Sequence, residues 1–201
     1  TQTVVKTIGF QIPGVLPEAL QPVGVRVTAD GRKAYVALGP ANRVAVVDTA
    51  TWEVRDYLLV GQRVWQLAFS PDGKFLVTTM QENALHGWKM EATKGGMEAR
   101  HMRMTGYPAK VKSVSWSAKG KWLASSGAPA AIVWPFSGKD GPMGKAPEEL
   151  GSRANIMVTN VAFHPVEDVL AIGFIDGMIL GVRLADGKEA LLRRPGKGAI
   201  T

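Results

Sequence analysis

The sequence predicts an all-β protein, a β-propeller of four-stranded antiparallel blades with about four blades in the chain. Three observations predict it. Four segments align with one another without gaps. Their spacing is nearly constant. Turns punctuate the chain, and helical periodicity is almost absent.

The aligned segments are VRVTADGRKAYVA (25–37), LAFSPDGKFLVTT (67–79), VSWSAKGKWLASS (114–126) and VAFHPVEDVLAIG (161–173). Each reads as a short apolar strand, a tight polar turn and a second apolar strand. The starts are separated by 42, 47 and 47 residues, a period suited to a blade of four strands. A β-sandwich is the alternative, but near-constant spacing and gapless self-alignment favour the propeller.

The turns justify the hairpins. Asp30-Gly31 and Asp72-Gly73 tolerate the positive φ that a tight hairpin needs, and Lys119-Gly120 keeps the glycine. The fourth copy has Val166-Glu167-Asp168 and no glycine, so its turn is expected to differ. Third strands follow at 43–48, 84–90, 131–136 and 178–184. Fourth strands follow at 53–60, 99–105 and 188–194. The third repeat instead carries SGKDGPMGKAPEELG (137–151), a Gly/Pro-rich insertion with a poorly defined outer strand. Inner strands such as Val-Ser-Trp (114–116) and Val-Ala-Phe (161–163) are short and largely apolar, as expected where both faces are covered by neighbouring blades.

The ends carry a further expectation. TVVKTIGFQ (3–11) reads as the outer strand of a preceding blade, and KGAIT (197–201) as the start of a further inner strand. Open propeller ends leave apolar faces wet and strand edges unpaired. The forgone burial is on the order of 10–20 kcal/mol gross. Closure by pairing of two chains, giving about eight blades, is therefore expected, with closure of four blades alone as the alternative.

Composition limits the rest. Hydrophobic residues make up 46% of 201, enough for a packed core. No apolar run is long enough to span a membrane, and no charged-then-apolar leader opens the sequence. Absence of cysteine excludes disulfides, cysteine-ligated metal and covalent haem attachment through Cys-x-x-Cys-His. The net charge of +7 is spread along the chain, +2 over residues 1–80 and +5 over 81–201. Only Arg193-Arg194 with Lys188 and Lys197 resembles a cluster, and it reads as a solvated outer strand. No nucleic-acid partner is expected.

Two family resemblances are carried by residues already quoted and their neighbours. Residues 22–79, with DGRKAYVA, NRVAVVDTAT and VGQRVWQLAFSPDGK, resemble the YVTN-type bacterial propellers, above all periplasmic ones associated with quinoprotein alcohol oxidation. Residues 81–201, with QENALHGWKM, GYPAKVKSVSWSAKGKWLASSGAPAAIVWPF and VTNVAFHPVEDVLAIGFIDGMILGVRL, resemble the bacterial WD-repeat propellers. The first resemblance implies an extracytoplasmic accessory protein and the second an intracellular one. No strand ends in Trp-Asp. Trp88 and Trp134 stand near that place, followed by Lys89 and Pro135. The Asp–His–Ser/Thr–Trp network of eukaryotic repeats is therefore not assumed. The change of vocabulary implies an engineered or recombined chimera, joined near Thr79–Gln81, with a 1–79 part and an 80–201 part in one propeller domain.

Little in the sequence points to catalysis. His86, His101 and His164 show no ligand spacing and read as packed or turn residues. Asp30, Asp48 and Asp72 occupy turn positions. Ser125-Ser126 lacks a nucleophile elbow, and GKDGPMGK (138–145) lacks phosphate-loop spacing. Trp65, Trp116, Trp122 and Trp134 read as blade packing, and Trp52 as an exposed turn. No catalytic, cofactor-binding or metal-binding residue is assigned. The expected function is a non-catalytic scaffold that self-associates as a homodimer. The alternatives are a protein- or peptide-binding propeller face and a periplasmic accessory to quinone-dependent oxidation.

Overall fold

The protein is a β-propeller of four four-stranded antiparallel blades, as the repeats predict. A computed structural model describes residues 3–93, 96–196 and 198–201, without the side chains of 91–99. Blade 1 comprises β1 (Pro22–Val27), β2 (Lys33–Leu38), β3 (Arg43–Asp48) and β4 (Val54–Leu59). Blade 2 comprises β5 (Gln66–Phe69), β6 (Phe75–Thr79), β7 (Leu85–Thr93) and β8 (Gly96–Met104). Blade 3 comprises β9 (Val114–Trp116), β10 (Trp122–Ser125), β11 (Ala131–Pro135) and β12 (Glu148–Leu150). Blade 4 comprises β13 (Val158–Phe163), β14 (Val169–Phe174), β15 (Ile179–Arg183) and β16 (Glu189–Arg193). Each sheet is a simple meander in chain order, and the inner strands pack in the order β1, β5, β9, β13.

The hairpin turns repeat one hydrogen-bonding scheme. Thr28, Ser70, Ser117 and His164 occupy the same column of the repeat. In the first three, their carbonyls accept from Gly31, Gly73 and Gly120, each at positive φ. The Thr28 and Ser70 hydroxyls also donate to Asp30 and Asp72, which accept from the backbone two residues on. These bonds bind the carboxylate form. Thr28 and the Arg32 N–H hold Asp30 below the usual range. Burial works to raise Asp72, but Ser70 and Lys74 outweigh it. The fourth turn has no left-handed residue, as expected from its missing glycine. There His164 Nδ1 accepts from the Val166 and Glu167 N–H groups instead.

Cores lie between blades, where period-2 alternation sends one set of side chains to each neighbour. Tyr35, Val44 and Val46 meet Leu67, Leu76 and Trp88 between blades 1 and 2. Phe75, Val77, Leu85 and Met102 meet Leu123, Ile132, Trp134 and Phe136 between blades 2 and 3. Ala124, Ala131 and Val133 meet Val161, Leu170, Ile172 and Val182 between blades 3 and 4. The inner strands are also tied by hydrogen bonds. The Val161 and Phe163 N–H groups donate to the hydroxyls of Ser113 and Ser115. Trp116 Nε1 donates to the Ala68 carbonyl.

The segment FLVTTMQENALHGW pairs without a register shift. Phe75 faces Lys89, Val77 faces Gly87 and Thr79 faces Leu85. Two expectations are corrected. Residues 3–11 form no strand; a leading outer strand needs the third strand of an earlier blade to pair with. Instead Phe10, Ile12, Val15 and Leu20 pack on the outward face of blade 1 against Leu38, Ala45 and Tyr57. Residues 198–201 also form no strand, and Lys197 lies outside the described residues. Ile200 donates its N–H to the Phe174 carbonyl, and the Thr159 hydroxyl donates to the Ile200 carbonyl. The poorly defined outer strand of the third repeat is β12, three residues at the end of the insertion.

Candidate functional site

Consecutive connections in a meander alternate between the two ends of a blade. The first and third turns of every blade therefore share one end. At that end, a cavity of about 560 Å³ opens between blades 2 and 3. Two hairpin turns set its width. A side chain at Gly120 would come within 3.2 Å of Pro71 Cδ, so the blade 3 turn lies directly on the blade 2 turn. The insertion supplies a wall. Gly141, at φ 60°, brings it so near Phe75 that a Cβ there would stand 3.0 Å from the ring. Below lies an aromatic floor, with Phe136 edge-on to Phe75 at 5.1 Å and to Trp116 at 4.5 Å.

The rim is cationic. Lys74, Lys89, Lys119, Lys121 and Lys139 line the cavity, and Asp72 is the one carboxylate among its lining residues. Asp72 pairs with Lys74 at 3.1 Å. Among the described residues, Lys119, Lys121 and Lys139 have no carboxylate within ion-pair distance. Arg100 and Asp140 form an exposed pair beside the groove. Of the turn N–H groups, Gly73 is committed to Ser70, Lys74 to Asp72 and Gly120 to Ser117. The site is thus chiefly a set of lysine charges.

Two polar networks lie elsewhere, one buried and one open to solvent on one side. In blade 3, Trp134 Nε1 donates to the Tyr107 hydroxyl at 2.6 Å, which shares a 2.7 Å hydrogen bond with Ser125. The Ser125 hydroxyl is also 3.1 Å from the Ile132 carbonyl. Tyr107 thus joins a strand tryptophan to a strand serine, and burial pushes its phenol up to about 12. In blade 2, His86 Nδ1 lies 2.9 Å from His101 Nε2, with Trp88 beside His101. Glu82 reaches His86 Nε2 at 3.8 Å and pairs with Arg103 at 3.0 Å. No spacing in the sequence shows the two histidines as neighbours; the β7–β8 hairpin brings them together. Among the described residues, no group of three or more His, Cys, Asp or Glu is placed to hold a metal ion.

The histidine pair makes stability pH-dependent. Burial first, and then repulsion from His101, holds His86 below the usual imidazole range; burial and Arg103 do the same for His101. The unfolded chain takes up these protons near pH ~6.5 and the folded chain only lower. Stability is therefore complete above about pH 7 and falls as pH drops below ~6.5, levelling once the folded imidazoles are charged. Melting temperatures across this window should show the slope. It should be flatter in a His86→Gln/His101→Gln protein. Carboxylates such as Asp48, held low by the Thr51 and Ala50 N–H groups, act at lower pH.

Other sequence-marked residues are structural. Asp48 caps its turn. Ser126 accepts from the Lys112 and Ser113 N–H groups. Trp52 is exposed at φ 62° in its turn. Trp116 and Trp122 pack against the interblade cores, and Trp134 lies inside one. No helix among the described residues is long and apolar enough to cross a membrane.

The WD domain, G-beta repeat family matches residues 56–89 and 100–134. Each match joins the outer strand of one blade to the three inner strands of the next. The first runs unbroken across residues 79–81 and gives no support to a change of parent there. No curated protein matches. Among solved structures, the chain is similar to the Cps50 (Swd1) β-propeller domain of Myceliophteria thermophila, with TM-score 0.65 and 13% identity over 87% of this chain and 54% of that one. It is also similar to U3-55K, with TM-score 0.68 and 14% identity over 90% and 54%. The RRP9 WD40 repeats give TM-score 0.67 and 15% identity over 90% and 53%. At these identities the likeness concerns the fold, and the chain spans about half the length of those structures.

Proposed function

We propose that this chain is a non-catalytic propeller scaffold that works by binding other proteins, one of them a second copy of itself. The observation that carries this reading is the outward face of blade 1. β1 pairs Val25 with Val36 and Val27 with Ala34, which places both valines away from blade 2. The N-terminal segment covers the middle of that face, yet Val25 and Val27 each remain 53% exposed. An inner propeller strand gains its stability from a blade on each side, and two exposed valines on one face of β1 form a surface for another apolar face. A second chain supplies one under two-fold symmetry.

Light scattering after size-exclusion chromatography tests this. The expected mass at micromolar concentration is that of two chains, shifting to one chain in a Val25→Glu/Val27→Glu protein. A single-chain mass for the unsubstituted protein rejects self-association. Descent of the two halves from different propeller families rests on the two resemblances, of residues 22–79 and of residues 81–201, and has no bearing on this binding reading.

A further inference from the structure

We propose that the lysine-lined groove between blades 2 and 3 binds an acidic peptide segment of a partner protein. The inference deepens the scaffold reading and rests on it. Five lysines from two hairpin turns, a strand and the blade 3 insertion converge on a cavity of about 560 Å³. Asp72 offsets Lys74, and among the described residues Lys119, Lys121 and Lys139 have no carboxylate within ion-pair distance. Such an excess of one sign over a low-dielectric floor attracts and holds the opposite charge.

The chemistry of the lining selects among anions. Bound phosphate groups are typically gripped by bidentate arginine or by free backbone N–H groups. This lining has no arginine, and the N–H groups of Gly73, Lys74 and Gly120 are committed within their own turns. Single-stranded nucleic acid needs exposed aromatic faces for its bases. Phe75 and Phe136 are instead buried, edge-on to each other. Lysines distributed around an open groove suit carboxylates distributed along an extended chain. The apolar stems of the lining lysines supply the ground between the charges for an aliphatic side chain of that peptide.

Fluorescence anisotropy with a labelled Asp/Glu-rich peptide of about eight residues, an extended length of about 27 Å, with one central leucine, tests the proposal. The peptide should bind, and its amide counterpart of Asn and Gln should not. Lys119→Glu/Lys121→Glu should weaken binding at least about tenfold, and Lys139→Glu alone by a smaller factor. Arg193→Glu/Arg194→Glu changes the net charge equally at the end of β16 and should leave affinity within about twofold, because exposed charges beyond a Debye length of about 10 Å are screened. Equal loss in both double variants overturns the site in favour of diffuse attraction. Tighter binding of single-stranded DNA of equal charge, or displacement by equimolar pyrophosphate, overturns the peptide assignment. Absence of peptide binding in a chain that still self-associates overturns the groove alone. Peptide binding by a single-chain species overturns self-association alone.

Discussion

Replacing Trp134 by alanine is expected to destabilise the protein by about 3–5 kcal/mol. For a chain of this size that lowers the melting temperature by roughly 6–20 °C. The indole lies in the core between blades 2 and 3, among Phe75, Leu123, Ile132 and Phe136. Its removal leaves a cavity that β strands anchored on both sides cannot close. It also removes the donor to Tyr107, whose hydroxyl is buried and bonded to Ser125. Tyr107→Phe isolates that second effect. Trp134 Nε1 then loses its acceptor at a cost of about 1–3 kcal/mol, with little change in packing. Thermal unfolding followed by circular dichroism measures both. Because residue 134 sits at the interface of two blades, its loss should shift a single transition. Two separate transitions, with only the later one displaced, would show instead that the halves fold independently.

The parts of the fold legible in the sequence are those set by local chemistry repeated at a fixed interval. Gly31, Gly73 and Gly120 mark their turns because a tight hairpin needs a residue free to take positive φ. The fourth turn was legible as an exception for the same reason. The hydroxyl column of Thr28, Ser70 and Ser117 could also have been read, with His164 as its substitute. The groove was not legible along the chain, because its lysines lie at 74, 89, 119, 121 and 139 and belong to two blades. Its signal runs down the repeat. Lys74 and Lys121 occupy one column, together with Arg32, so stacking the blades stacks the charges. The insertion between β11 and β12 reads as a loop by composition. Only the approach of Gly141 to Phe75 makes it a wall. His86 and His101 meet because β7 and β8 form a long hairpin, a length that the loop-like ATKGGM (92–97) conceals. The ends misled because a strand-like pattern states a preference, and a strand also requires an edge to pair with.

Gly24→Ala is expected to destabilise the protein by about 3 kcal/mol, the upper part of the range for overpacked positions. A Cβ at residue 24 would stand 2.6 Å from the Trp65 carbonyl oxygen and 3.7 Å from its carbon. The obstacle is backbone, so no rotamer change relieves it. Trp65 is held in turn, its N–H donating to the Thr79 carbonyl at 3.1 Å. Gly24 sits at the register shift of β1 and faces Ala37, on the side turned to blade 2. Relief requires β1 to move away from the start of β5, loosening the core of Tyr35, Val44, Leu67 and Trp88. Gly9→Ala supplies the control, since nothing lies within 4 Å of its added carbon. It should leave stability within about 0.5 kcal/mol. Chemical denaturation of both proteins measures the difference. An equal, small effect at the two positions would mean that blades 1 and 2 are not in the close contact that a missing side chain at residue 24 permits.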